Sequence, residues 1–224
     1  MAGALVTGGT RGIGLECARS LRRLGFGVAV CSRHPEDVTA ATGEAELARV
    51  CDVTDRGAVG ALADEAAAAL GGLAVVVASA GVLTERALLA DTPADVWEST
   101  LRVNVVVVAN TLAAATPHLR RSRGYAFVIS SIAGHEGMAE FGAYSTSKWG
   151  LRGLTRTFIQ EEAPRGVRAT VISPGLVDTR MGDAAGFGGE RLRPSDVAAT
   201  LEWCLALSPA ALIREVVLER MAAV

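Results

Sequence analysis

The chain is poor in aromatic residues, histidine and cysteine, and neither sign of charge is in excess. Tryptophan, tyrosine and phenylalanine make up 4% of its 224 residues, so its apolar half is built mainly from Ala, Val and Leu. Small residues of that kind suit buried parallel strands covered by helices on both faces. A formal charge of −2 offers no global attraction to nucleic acid or anionic lipid, so neither is an expected partner. The four cysteines, Cys17, Cys31, Cys51 and Cys204, lie far apart with no C-x-x-C spacing, and His34, His118 and His135 are equally scattered. Disulfides and a metal site are therefore not expected. Cys17 falls in a helical stretch, and Cys31 and Cys51 at strand ends, where a free cysteine acts as a small hydrophobe. No apolar run approaches the roughly 18 residues that span a bilayer. The first apolar run starts at residue 4, which leaves no room for a signal peptide, and the expected location is cytoplasmic.

What is present is alternation. Short apolar runs at 4–7, 28–31, 47–51, 73–79, 125–130, 167–172 and 212–218 are separated by helical patterns at 13–24, 56–70, 94–119, 143–163 and 195–207. Strand–helix alternation of this kind predicts an α/β fold, with about seven parallel strands and helices on both faces. Between residues 33 and 46, His34-Pro35 and Gly43 leave space for only a short helix. Thr92-Pro93 with Asp95, and Pro194-Ser195-Asp196, are the start signals of the helices at 94–119 and 195–207. Gly182, Gly186, Gly188 and Gly189 around Phe187 read as a mobile loop. No linker or repeat divides the chain, and one domain is expected over 1–224.

The first strand runs into Thr7-Gly8-Gly9-Thr10-Arg11-Gly12-Ile13-Gly14, and a helix follows. Isolated glycines of this sort often serve only a turn. Their place in the first strand-to-helix turn of an alternating chain points instead to dinucleotide binding, with the pyrophosphate at the helix N-terminus. The spacing is G-x-x-x-G-x-G. At the end of the second strand, NAD-specific proteins of this architecture carry an acid for the ribose 2′-hydroxyl. Here stand Cys31, Ser32 and Arg33, and Arg11 lies within the glycine turn. Two guanidiniums and a hydroxyl make a 2′-phosphate clamp, so NADP(H) is expected over NAD(H). Glu36 and Asp37 follow closely enough to fold back toward the ribose.

Tyr144 and Lys148 are four residues apart in Tyr144-Ser145-Thr146-Ser147-Lys148, which puts both on one helix face. A free phenol, with a pKa of about 10, exchanges protons poorly at neutral pH, and a nearby cation lowers that value. By itself the motif is short and is also met as a partly exposed pair on an amphipathic helix. Three more features accompany it: Ser130-Ser131 closing an apolar strand, Asn104 interrupting the apolar stretch 101–109, and Pro174-Gly175 after the sixth strand.

Together with the glycine turn, these motifs resemble the short-chain dehydrogenase/reductase family over essentially the whole chain. The resemblance implies a single Rossmann domain, with 1–130 mainly for the dinucleotide and 131–224 for catalysis and substrate. It implies that Tyr144 is the general acid/base, that Ser131 rather than Ser130 hydrogen-bonds the substrate oxygen, and that Lys148 lowers the tyrosine pKa and holds the nicotinamide ribose. Asn104 would hold a water in the proton relay to Lys148. Asp52 and Val53 would contact adenine, and Val177 and Thr179, beyond Pro174 and Gly175, the carboxamide. Ala78-Ser79-Ala80-Gly81 departs from the usual pattern, since Ser79 stands where relatives carry asparagine. Ala80 and Gly81 still allow close approach to the cofactor.

The expected reaction is hydride transfer between NADP(H) and a ketone or aldehyde, with Ser131 donating to the developing oxyanion. Alternatives are an NAD-dependent alcohol dehydrogenase of the same family and a protein that binds NADP(H) without turnover. No G-x-S-x-G elbow of a hydrolase occurs. Val82, Leu83, His135, Met138, Phe141, Met181 and Phe187 are candidate pocket residues, mostly apolar, and Arg191 and Arg193 are the nearby cations. The short stretch 179–194 predicts a small lid. The resemblance further implies a homodimer or homotetramer joined through the helices at 94–119 and 143–163.

Overall fold

Valine and alanine fill the strands because both faces of the sheet are covered. In the computed structural model, which describes residues 2–221, strands β1 (Gly3–Thr7), β2 (Gly27–Ser32), β3 (Leu47–Val50), β4 (Leu73–Ala78), β5 (Tyr125–Ile129), β6 (Arg168–Pro174) and β7 (Glu215–Leu218) form one sheet. Every pairing is parallel and the order is β3-β2-β1-β4-β5-β6-β7. Helices α1 (Gly12–Arg23) and α8 (Pro194–Ala206) cover one face, where Leu21, Val197 and Leu201 pack on Val6, Val28 and Phe127. Helices α3 (Arg56–Leu70), α5 (Val107–Ser122) and α6 (Gly142–Glu162) cover the other, where Val59, Leu112 and Leu151 meet Leu5, Val76 and Val128. This is the doubly wound single domain expected.

The strand order reverses direction between β1 and β4, so the loops after them part and leave a crevice at the carboxyl edge. Three glycines shape it. A methyl group on Gly8 (φ +66°) would come within 2.9 Å of the Ala80 backbone, and one on Gly14 within 2.2 Å of the Gly8 carbonyl. Gly12 has φ +54°, a conformation that side chains rarely adopt.

Several local expectations are corrected. The helix expected over 94–119 is α4 (Ala94–Leu101), then a π turn (Arg102–Val106) carrying Asn104, then α5. A π turn inserts one residue into a helix and marks a locally altered backbone. Thr92 does not cap α4; its hydroxyl donates to the Leu88 carbonyl at 2.9 Å. At α8 the expected start signal holds, and Asp196 is its capping member, accepting from the Arg193 amide at 2.8 Å. The last strand begins at Glu215 rather than 212. The supposed glycine loop opens inside a short helix, α7 (Arg180–Ala184), because Gly182 is buried against Val177 with its methyl-equivalent position 2.1 Å from that carbonyl. The connection after β2 holds α2 (Pro35–Ala40), the short helix expected. Among the described residues, no helix is long and apolar enough to cross a membrane.

Phe127 in β5 is fully buried and stacks on Tyr125 with ring centroids 4.4 Å apart. Replacing it with alanine is expected to cost about 3–5 kcal/mol, read as a lowered midpoint in urea unfolding with an unchanged slope. An effect under about 1 kcal/mol would mean that this ring does not anchor the core.

Candidate functional site

The crevice deepens into one elongated cavity of about 800 Å³. It runs from the ends of β2 and β3, past the glycine turn, to the start of α6. Every residue expected from the sequence to be catalytic or to contact the cofactor lines it except Asn104.

At one end, helix α1 begins at Arg11 with no side-chain cap. Its first internal bond is Leu15 N–H to the Arg11 carbonyl. The amides of the first turn therefore remain available, with the positive end of the helix dipole, for an anion in the cavity. The Thr179 methyl carbon stands 3.3 Å from where a Cβ on Gly12 would be, and a Cβ on Gly14 would strike the Gly8 carbonyl, so only glycines fit this turn. These features fit a dinucleotide pyrophosphate. Asp52 is fixed for a ligand contact because its Oδ1 accepts from the Thr54 amide and hydroxyl at 2.9 and 2.8 Å. These bonds, with the Arg33 charge nearby, hold its carboxyl below the usual range.

The proposed phosphate clamp is not open. Arg11 Nη1 pairs with Asp37 Oδ2 at 2.9 Å, so Asp37 has folded back onto a guanidinium. Arg33 Nε donates to His34 Nε2 at 3.0 Å, and Ser32 Oγ accepts from the His34 amide at 3.2 Å. Arg33 has no carboxylate partner within ion-pair distance among the described residues, so it is the less encumbered cation. Cys31 and Cys51 face each other beneath this end. The Cys31 thiol hydrogen bond lowers the Cys51 pKa, while that same contact and burial raise Cys31.

At the other end, Ser131 closes β5 in extended conformation and its Oγ accepts from the Ala133 amide at 3.2 Å. Tyr144 and Lys148 are 8% and 7% exposed. Lys148 Nζ donates to the Ile129 carbonyl at 3.3 Å and lies 5.5 Å from the Tyr144 ring centroid. Burial dominates both groups. It pushes the Tyr144 phenol up, opposed by a hydrogen bond from Ser131, and pulls the Lys148 ammonium down to about 8. The Ser131 hydrogen bond is the contact that works against desolvation of the phenol. Ser130 is turned elsewhere, with its hydroxyl donating to the Lys148 carbonyl at 3.2 Å.

Asn104 stands behind the wall. Its Oδ1 accepts from the Val82 amide at 2.8 Å, and its Nδ2 donates to the Val82 carbonyl and to Ser147 Oγ, each at 3.0 Å. Ser147 Oγ in turn donates to the Tyr144 carbonyl at 2.6 Å. This chain ties the π turn, the loop after β4 and the first turn of α6 together. Both Nδ2 hydrogens are spent on protein, so a water could meet this side chain only at Oδ1. Ser147 was not singled out from the sequence; its position inside the Tyr144–Lys148 spacing was the available signal.

Val177 pairs with Leu192 through the backbone groups of its neighbours Leu176 and Asp178, which turns its own amide the other way. Thr179 Oγ1 caps α7, accepting from the Gly182 amide at 3.1 Å. Of the candidate pocket residues, Val82, Leu83, Met138, Phe141, Met181 and Phe187 line the cavity and His135 does not. Its Nε2 lies 2.8 Å from Glu215 Oε1 without making a hydrogen bond. Arg191 and Arg193 are spent on ion pairs with Asp183 and Asp196.

Comparison with known proteins identifies the family. The family model for short chain dehydrogenases matches residues 2–186. The human protein "Dehydrogenase/reductase SDR family member 2, mitochondrial" is 34% identical over 182 residues, covering 79% of this chain, which spans 65% of that relative's length. "Cis-4-hydroxycyclohexanecarboxylate dehydrogenase" of Sinomonas cyclohexanicum is 35% identical over 204 residues, 88% of this chain and 79% of that one. Among solved structures, the alcohol dehydrogenase of Thermococcus sibiricus complexed with 5-hydroxy-NADP superposes with a TM-score of 0.86 at 28% identity, covering 97% of this chain and 96% of that one. The chain belongs to the short-chain dehydrogenase/reductase family.

Proposed function

We propose that the protein is an NADP(H)-dependent oxidoreductase that interconverts a ketone or aldehyde with its alcohol, using Tyr144 as the proton-exchanging group. The observation that carries this reading is one cavity with an uncapped glycine turn at one end and Ser131, Tyr144 and Lys148 at the other. The dehydrogenase relatives and the NADP analogue bound to the Thermococcus sibiricus enzyme point the same way.

Bound nicotinamide supplies the hydride donor or acceptor. Ser131 and Tyr144 converge on the substrate oxygen and hold it by two hydrogen bonds. Burial raises the Tyr144 phenol, so at neutral pH it holds a proton that a developing alcoholate, a far stronger base, can take. Lys148 would hold the nicotinamide ribose, and Asn104 and Ser147 keep the α6 turn in place. Asp52 and Val53 would take the adenine, and Val177 and Thr179 the carboxamide. Assembly into a homodimer or homotetramer through α4–α5 and α6 is supported by half-exposed Val106 and Trp149 on those helices.

An NAD(H)-linked reading has one observation in its favour, the Asp37 carboxylate on Arg11. Fluorescence titration separates the two. NADPH is expected to bind at least about tenfold tighter than NADH, and Arg33→Ala to remove most of that difference. Equal affinities, with no effect of the substitution on NADPH, would discard the NADP(H) assignment.

Tyr144→Phe is expected to lower kcat by at least about 100-fold while the NADPH dissociation constant stays within about twofold. Substantial residual turnover would remove Tyr144 from the mechanism and favour a protein that only binds NADP(H).

Lys148 carries its charge in the free protein below a pKa of about 8 and loses it as pH rises through that value. NADPH binding should therefore weaken as pH rises through about 8, and Lys148→Met should flatten that dependence. A wild-type affinity that stays level from pH 7 to 9.5 would contradict the buried ammonium.

A further inference from the structure

The apolar end of the cavity is held from behind by a residue that does not line it. Arg86, in the segment after β4, places its guanidinium carbon 5.7 Å from the ring centre of Phe141 and 5.5 Å from that of Phe187. The two rings lie 5.9 Å apart at 45°. Phe141, with Tyr144, belongs to a small apolar cluster on which Leu83, Met138 and Phe187 pack.

Arg86 does not reach this position by chance of rotamer. Its Nε donates to Glu140 Oε2 at 2.8 Å, and its Nη2 lies 2.5 Å from the same oxygen. The Ala87 amide donates to the Glu140 carbonyl at 3.0 Å, and Ala87 bridges to Phe141. Glu140 itself sits at φ +66°, a conformation that a non-glycine residue holds only where its surroundings over-determine it. A strained carboxylate thus anchors a guanidinium whose planar faces serve two rings from different loops.

Resting on the carbonyl-reducing reading above, we propose that Arg86 is a positioning residue that sets substrate range. Anchored by Glu140, it holds Phe187 against Phe141 beside Tyr144, so that the pocket selects carbonyls carried on an uncharged ring-sized apolar body. Its charge is spent on Glu140 and it stands outside the cavity, so it offers nothing to a substrate carboxylate. A flat hydrocarbon body gains contact from both rings, whereas a two- or three-carbon chain does not reach Phe187.

The test compares acetophenone and cyclohexanone with propanal, using NADPH and the full chain. Arg86→Ala should lower kcat/KM for the two ring ketones by about tenfold, mainly through KM, and leave propanal within about twofold. Glu140→Gly removes the anchor and relieves the left-handed backbone, so it should lose the same selectivity without losing thermal stability. Phe187→Ala should match Arg86→Ala, with no further loss in the double variant. Equal changes for ring and chain substrates, or none, would overturn the proposal. A second readout does not need turnover: amide hydrogen exchange across residues 185–189 should quicken in Arg86→Ala and Glu140→Gly, and unchanged exchange also overturns it. If the wild type reduces none of the three carbonyls, the carbonyl-reducing reading falls together with the substrate half of this inference, and exchange alone then decides whether Arg86 holds the loop.

Discussion

The backbone of Gly8 passes so close to that of Ala80 that a single methyl group would not fit between them, its carbon falling 2.9 Å from Ala80 atoms. That contact is where the sheet reverses its order. It lets the turn after β1 lie flat against the loop after β4, and the groove between them becomes the floor on which a dinucleotide can rest. Displacing it would shift the uncapped end of α1 on one side and Gly81 on the other. Gly81 has little slack, because its own methyl-equivalent position lies 3.2 Å from Asn104 Oδ1 and 3.9 Å from Lys148 Nζ.

The end of the cavity that holds Tyr144 and Lys148 is organised by a second chain of contacts that grows from the first. Val82 follows Gly81 directly and is gripped through both its amide and its carbonyl by Asn104. The π turn presents that asparagine, Ser147 receives its other hydrogen, and the Tyr144 carbonyl receives Ser147. Position is thus passed from the cofactor floor to the catalytic turn by neutral hydrogen bonds, with no ion pair in the path. Buried charge would be a poor substitute, since desolvation already works against the one lysine present, holding it near 8.

The strands and the principal helices were legible because both their signals are local. Continuous Val and Ala runs mark strands buried on both faces, and the glycine turn and the Tyr144–Lys148 spacing are read within a few residues. The features that escaped depend on partners far away in sequence. Asn104 stands out in the sequence as a polar interruption in an apolar stretch, but the π turn that presents it and its partners Val82 and Ser147 do not. Arg11 looks like half of a phosphate clamp until Asp37, 26 residues on, is found against it. His135 follows Ser131 so closely that a pocket role was natural, yet it lies outside the cavity wall, its Nε2 beside Glu215 of the last strand.

The two ends of the cavity are built differently, and the reason is physical. The dinucleotide end is made by strand termini and one tight turn, so its shape follows from the sheet and leaves few residue choices. The substrate end is made by three irregular segments, around Arg86, Glu140 and Phe187, joined by an ion pair, a cation–π pair of contacts and a short backbone bridge. None of these has a periodic sequence signature, and each is worth little alone at a partly exposed site. Their effect lies in acting on one wall together. A fold of this kind can therefore keep its chemistry fixed through backbone constraint while the selection of substrate rests on a few side chains that can be exchanged without disturbing the sheet.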